Sequence, residues 1–389
     1  MKRVSILMFT LCACFAFVAW PQTQPQGHDK IITFKVPDAG TSANQGTYVN
    51  RIVESGAVTG WYIDSNGVYH GFIRTPGGVI TKVDAPAAEN APGLGTVSEG
   101  MNSEQVTTGY YIDSNDVYHG YVRTPDGRFT IIDVPAAGTG QWQGTIASNI
   151  NAWGTVLGVF IDTDNNWHYF LRSLFGRFTT FDAPDEGAGV MALGWGYPDA
   201  LNDAGAATSM FIDGNGLFHG WLRTPDGMIS RIDVAGAGTG AFEGTFSVAI
   251  NWEGTMVGGF IPPDESFGNV QGFVRDVDGN ITPFAPPVGK GTVQSNAING
   301  AGEIVGTCWS WNAEGVSTGV NADAACSRAP DGTYSVYSLP GAGTGNYQGT
   351  YGIDVNSRGS MAGYVIDSNF VTWSFVMAPQ TSPHKPSVR

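Results

Sequence analysis

Residues 110–127, YYIDSNDVYHGYVRTPDG, return along the chain in altered copies, and their spacing decides the fold. Aligned on His119, the same place is held by His70, His168 and His219, then by Gln271, Ala324 and Trp373. The intervals of 49, 49, 51, 52, 53 and 49 residues mark a repeat architecture whose copies are each one small supersecondary unit. Seven copies fit along the chain.

Each copy carries three turn signals. N-x-x-G, as in Asn151 to Gly154, and T-P-D-G, as in Thr124 to Gly127, place Asn or Pro early and Gly fourth, which suits tight turns. D-S-N-G, as in Asp64 to Gly67, is the third. Three turns separate four strands. In the third copy these are a (146–151), b (155–162), c (167–172) and d (177–182), short and rich in aromatic or β-branched residues. A longer link, DVPAAGTGQWQGT in its fullest form, leads from d to the next a. The predicted fold is all-β: a seven-bladed β-propeller of four-stranded antiparallel blades. A β-helix would need shorter repeats without three hairpins. The first strand, Ile31 to Val36, matches d, and the last, Val371 to Ala378, matches c. Pairing of the N-terminal strand with the C-terminal blade then closes the ring and removes a free edge.

The repeated INxxGxVxG…HGFxRTPDG pattern resembles the HAF-type extracellular repeats of secreted bacterial proteins, with HGF here where HAF is frequent there. The resemblance spans residues 31–379. It implies a secreted propeller-like fold and brings no chemistry, so no catalytic residue carries over. The chain departs from the pattern at Val53, where the first copy lacks the turn Asn, and in the sixth and seventh copies, which lack HGF.

Residues 1–20 read as a signal peptide: Lys2 and Arg3, an apolar run to Trp20, then a polar stretch. The run is too short for a membrane span. Ala19 suits the position before a cleavage, while Leu11 to Cys14 resembles a lipoprotein box. Residues 21–30 then form a linker, 31–379 the propeller and 380–389 a loose tail. The chain is 14% charged and 42% hydrophobic with 55 glycines, a turn-rich globular composition. Its formal net charge of −15, made more negative once Lys2 and Arg3 leave, repels phosphate backbones and anionic membranes, so nucleic acid is not the expected partner. Export makes the location periplasmic or extracellular. It also favours a disulfide between Cys308 and Cys326, which the repeat places on adjacent strands b and c.

The recurring histidines suggest a metal, but equivalent residues on neighbouring blades lie on the order of 10 Å apart, too far to share one ion. A bond within each blade fits better. His70, His119, His168 and His219 coincide with Asp84, Asp133, Asp182 and Asp233 on strand d. Where the histidine becomes Gln271, Ala324 or Trp373, the partner becomes Ala285, Ser338 or Lys35. The D-x-N-G loops offer too few oxygens for calcium and read as turns. No metal and no cofactor is expected.

Strand direction puts the d-to-a links and b-to-c turns on one face, the top, and the N-x-x-G and T-P-D-G turns on the other. The links present Trp142, Phe242 and Tyr347 at one equivalent position, followed by Gln143, Glu243 and Gln348, as Gln45 follows Asn44 in the first copy. The fourth copy has its own link with Trp195, Tyr197 and Asp199. Aromatic faces and amides on one surface suit carbohydrate. The competing reading packs each aromatic between blades. The expected function is binding of an extracellular polysaccharide or other glycan by Trp142, Gln143, Trp195, Tyr197, Phe242, Glu243, Tyr347 and Gln348. The alternative is a polysaccharide-cleaving lyase or glycoside hydrolase, with Glu99, Asp199 and Glu243 as candidate acids and Lys290 or Tyr197 as lyase groups. A structural surface protein is the third reading. No nucleophile elbow, zinc-protease, P-loop or dinucleotide pattern occurs.

Overall fold

The computed structural model describes residues 30–184, 200–263, 265, 269–286, 291–310 and 323–379. The expected leader, nearly all of the linker and the tail lie outside the described residues, as do Trp195, Tyr197, Asp199 and Lys290. Among the described residues there is no α-helix.

The chain opens on β1 (Ile31–Phe34) and then lays down antiparallel meanders. The first unit is β2 (Gly46–Ile52), β3 (Val58–Ile63), β4 (Tyr69–Arg74) and β5 (Ile80–Val83). The second is β6 (Gly95–Met101), β7 (Thr107–Ile112), β8 (Tyr118–Arg123) and β9 (Phe129–Ile132). The third is β10 (Gly144–Ile150), β11 (Val156–Ile161), β12 (Trp167–Arg172) and β13 (Phe178–Phe181), each within two residues of its expected bounds. The fourth is β14 (Ala200–Leu201), β15 (Ala207–Ile212), β16 (Phe218–Arg223) and β17 (Ile229–Ile232). The fifth is β18 (Gly244–Ile250), β19 (Met256–Ile261), β20 (Gln271–Arg275) and β21 (Ile281–Phe284). The sixth is β22 (Gly291–Ile298), β23 (Ile304–Ser310), β24 (Ala324–Arg328) and β25 (Tyr334–Tyr337). Last come β26 (Gly349–Val355), β27 (Met361–Ile366) and β28 (Thr372–Met377). The fourth strand beside β28 is β1, antiparallel, with Thr33 opposite Phe375 and Phe34 opposite Ser374.

The core lies between units. Ile146, Leu157 and Tyr169 of the third pack against Ala207, Phe211 and Trp221 of the fourth. The Tyr169 ring meets Trp221 edge-on at 4.7 Å, and its hydroxyl donates to the Met210 carbonyl. Val49, Tyr62 and Phe72 of the first unit pack against Ala362 of the last.

Two polar devices join neighbours. At the top, the glycine that begins the innermost strand in the first, second, third and fifth units lies against the first residue of strand c in the preceding unit, as Gly144 against Tyr118 and Gly46 against Thr372. A Cβ on Gly144 would stand 2.0 Å from the Tyr118 carbonyl, and its φ is +122°, so only glycine fits. The buried threonine that follows accepts the N–H at the end of the incoming strand d: Val134 to Thr145, Val234 to Thr245, and likewise Val36 to Thr47. At the other end, the N-x-x-G asparagines do more than turn the chain. Each donates its amide to the next unit's carbonyl: Asn102 to Asn151, Asn151 to Asn202, Asn202 to Asn251, Asn251 to Asn299, Asn299 to Asn356, and Asn356 to Val53. All six asparagines are buried. Val53 interrupts the series because it has no amide to give Asn102.

Cys308 and Cys326 form the expected disulfide, with Cα atoms 5.9 Å apart. Cys308 lies beside Ala324 and Cys326 beside Gly306, so the bridge crosses one face of β23 and β24 diagonally, where the first unit buries Tyr62 and Phe72.

Candidate functional site

The d-to-a links are held by main-chain bonds to the b-to-c turns of the preceding unit. The Trp142 N–H donates to the Asp116 carbonyl at 2.7 Å, Phe242 to Gly216 at 2.8 Å, Asn44 to Phe370 at 2.8 Å and Gly93 to Gly67 at 2.9 Å. The link residue takes a left-handed backbone, with φ of 63° at Asn44, 62° at Trp142, 63° at Phe242 and 59° at Tyr347. Gly93 and Asn44 suit that conformation. A Trp, Phe or Tyr there is strained by roughly 1–2 kcal/mol.

Packing does not compensate fully. Trp142 is 47% exposed, Phe242 54% and Tyr347 73%. Trp142 leans on Tyr118 at 6.0 Å and Phe242 on Phe218 at 6.4 Å. These rings are therefore not wedged between units. A further aromatic stands beside the links in a b-to-c turn: Phe370, at φ 61° and 39% exposed, sits where the other turns carry Gly67, Asp116, Asn165 and Gly216. Its signal was present in the sequence as Phe in the glycine place of D-S-N-G.

The neighbouring amides have another task. Gln143 is buried; its Oε1 accepts from the Gly140 N–H at 3.0 Å and its Nε2 donates to the Thr163 carbonyl and Asn165 Oδ1. Gln348 repeats this with Gly345 and Ser368, and Glu243 accepts from Gly240. The glycine of each G-x-G makes room for that side chain: a Cβ on Gly138 would meet Gln143 Oε1 at 2.2 Å. Facing a ligand would require Gln143 and Gln348 to abandon buried bonds, so these expected ligand groups are read instead as braces of the loop that carries the aromatic.

The four histidines contact strand d as expected, with Nδ1 to Oδ1 distances of 2.9 Å for His70–Asp84 and His119–Asp133, 2.6 Å for His168–Asp182 and 2.7 Å for His219–Asp233. Each Nε2 faces a second carboxylate, that of Asp64, Asp113, Asp162 or Asp213, at 3.3–3.6 Å. Those aspartates also accept N–H bonds inside their own turns, as Asp162 does from Asp164 and Asn166. The pairing that motivated the histidine reading thus extends to a bracket of three strand and turn residues.

Nearer the start of the innermost strands, Tyr48 stacks on Trp61 at 4.1 Å and meets Tyr364 at 5.4 Å, and Tyr364 stacks on Tyr351 at 5.0 Å. The Tyr351 hydroxyl bonds to the Asp323 carboxylate. Burial pushes Asp323 up to about 6 while the bond from Tyr351 pulls the other way. Neither residue stands out in the sequence, because the sixth copy is the longest and its repeat the weakest there. The opposite face also exposes aromatics, Trp153 at 71% and Trp252 at 63%, inside N-x-x-G turns. Aromatic exposure is therefore not confined to the top.

No family model matches the chain, and no curated protein matches it. Solved structures do. Virginiamycin B lyase from Staphylococcus aureus is 13% identical at a TM-score of 0.56, covering 90% of this chain and 100% of that one. A streptogramin B lyase is 15% identical at 0.55, covering 90% and 98%. The fold is a β-propeller. The BP39L lectin from Burkholderia pseudomallei, 11% identical over 87% of this propeller and 99% of the lectin, reaches a TM-score of only 0.47. At these identities the lyases share the propeller's architecture, and its chemistry has to be read from its own residues. Among the described residues of the propeller no helix is long and apolar enough to cross a membrane.

Proposed function

We propose that this is a secreted, seven-bladed propeller, closed by β1 as the outer strand of the last blade, that binds an extracellular glycan on its top face. The closed ring is supported by the β1–β28 ladder, by Val36 joining Thr47 as its counterparts do elsewhere, and by Asn356 reaching Val53. Export is supported by the leader-like residues 1–20 and by the Cys308–Cys326 bridge.

One observation carries the binding reading. At a single loop position, where glycine or asparagine is least strained, the chain three times places a half-exposed aromatic. Strain kept at a surface position without burial in return points to use of the ring itself. Flat rings with free faces suit the C–H faces of sugars, and Trp195 and Tyr197 extend the proposal to the fourth link. The test is a glycan array probed with the mature chain and with Trp142→Ala, Phe242→Ala and Tyr347→Ala. Retained signals in all three variants overturn it.

A second reading, a polysaccharide-cleaving enzyme, is favoured by the Asp323–Tyr351 pair beside the top-face aromatics. A carboxyl held up at about 6 next to a phenol suits proton transfer to the departing glycosidic oxygen. Product release from acidic and neutral polysaccharides, abolished by Asp323→Asn with binding retained, would select this reading over simple binding.

A further inference from the structure

The face opposite the aromatic links holds a cavity of about 200 Å³ where the innermost strands converge. Every residue lining it is described, and all seven repeats contribute, from Arg51 in β2 to Asp354 in β26. Register shows which positions of the units are equivalent. Arg51, Asn149, Ala200, Ala249, Ala297 and Asp354 each lie opposite the second residue of their unit's next strand. A repeat built only for closure would fill this ring uniformly. Here three consecutive units, the fourth, fifth and sixth, place alanine and the second places Gly100, which leaves the space open, while Arg51, Asn149 and Asp354 of the first, third and last supply polar groups.

Arg51 and Asp354 are only partly engaged with each other. Asp354 is buried; its Oδ2 accepts the Ile52 N–H at 2.8 Å, and Oδ1 stands 3.7 Å from the Arg51 guanidinium. That is close enough for attraction and too long for a hydrogen bond. Arg51 lines the cavity and is partly exposed, so its guanidinium has donors that Asp354 does not take up. We propose that this axial cavity binds a small, uncharged, polyhydroxylated molecule of monosaccharide size. The guanidinium donates to one hydroxyl oxygen and the carboxylate accepts from its neighbour, completing the bonds that the two groups do not make together.

Charge and shape narrow the class. Glu54 is taken by Ser357 and Asp203 by the Ala152 N–H, which leaves the oppositely charged Arg51 and Asp354 as the pair at the cavity, a balance that favours neither an anion nor a cation. An apolar guest would strip water from Arg51 and Asp354 without return. The volume corresponds to roughly six or seven waters, which one sugar ring can displace. Ile150 and Ile250 give the ring an apolar wall, and exposed Trp153 follows lining residue Ala152 directly. None of this depends on the top-face proposal.

The test is calorimetric and saturation-transfer NMR titration of the mature chain with D-glucose, D-galactose, D-mannose and L-fucose, using D-glucuronate and D-glucosamine as charged controls. At least one neutral sugar should bind more tightly than both controls. Arg51→Gln should weaken it about tenfold, since a charge-assisted bond is lost. Ala249→Leu, which fills the cavity and leaves the polar groups in place, should abolish it; Ala297→Leu serves the same purpose if the first variant does not fold. The proposal is overturned if no neutral sugar binds, if glucuronate or glucosamine binds best, or if the folded leucine variants bind as well as the unaltered chain. It is also overturned if Trp142→Ala removes the response and Ala249→Leu preserves it, because the sugar then lies on the other face.

Discussion

Asn251→Ala should destabilise the propeller by about 2–3 kcal/mol without touching either proposed site. The side chain is buried at the seam between the fifth and sixth units. Its Oδ1 accepts N–H bonds from Glu253 and Gly254 at 3.1 Å and Thr255 at 2.9 Å, and its Nδ2 donates to the Asn299 carbonyl at 3.1 Å. The bond between units contributes about 1 kcal/mol net. Loss of the side-chain acceptor from the turn adds about 1 kcal/mol, by analogy with removal of a helix cap. Leaving the Asn299 carbonyl with one partner, Gly302, in a buried seam adds up to about 1 kcal/mol more. Asn251→Asp keeps the turn acceptor but sets a buried carboxylate oxygen against the Asn299 carbonyl, so it should lose at least as much. Val53→Asn supplies the missing link of the series and should be neutral or stabilising, because new bonds to Asn102 and the turn offset the lost valine packing. Urea unfolding followed by tryptophan fluorescence measures all three. A loss below about 1 kcal/mol for Asn251→Ala would refute the reasoning, since it would mean that water replaces the side chain at the seam.

Three further outcomes are expected. Thiol titration of the denatured, unreduced mature chain should find no free thiol from Cys308 or Cys326, and reduction should cost about 3 kcal/mol for a loop closed over 18 residues. Stability should fall as pH rises through neutrality. The bond to Asp133 raises His119 against its burial, and at His168 burial is outweighed by Asp182 and Asp162. A raised base stabilises fully below its unfolded value of about 6.5 and loses that contribution as pH passes the folded value. Urea midpoints measured from about pH 6 to about pH 8 check the sign, and His168→Gln together with His119→Gln should flatten the curve. At the acid end, burial pushes Asp162 up but bonds from Asn166 and His168 bring it down to about 2, so its contribution is lost as pH falls towards that value; Asp162→Asn should shrink the acid loss.

Much of the fold was legible because turn chemistry repeats where side-chain identity drifts. The N-x-x-G, D-S-N-G and T-P-D-G turns located strands to within two residues in the third unit, and the His–Asp coincidence across copies foretold four contacts. The cysteine pair was legible for the same reason: the repeat set their strands side by side. What escaped reading depended on where one unit meets another. Asn151 reads as a turn former, and nothing local says that its amide crosses to Asn202. Val53 reads as a lapse in the pattern; among the described residues its seam lacks the asparagine link that the other units make. Gln143 looked like a ligand group because its type suits sugars, whereas the G-x-G before it makes the pocket that buries it. Phe370 and Asp323 fell in degenerate copies, and the cavity around Arg51 and Asp354 joins residues 303 positions apart.

The most direct test of the top-face account is a glycan array run in parallel on the mature chain and on Trp142→Asn, followed by titration with whichever glycan the array returns. Asparagine accepts the left-handed backbone that Trp142 strains against, so the variant should fold with stability within about 1 kcal/mol of the original. It should nevertheless bind more weakly by about 1–3 kcal/mol, the usual loss for an aromatic that stacks on its ligand. Equal affinity per folded molecule in the two proteins, or no glycan bound by the unaltered chain, would contradict the account.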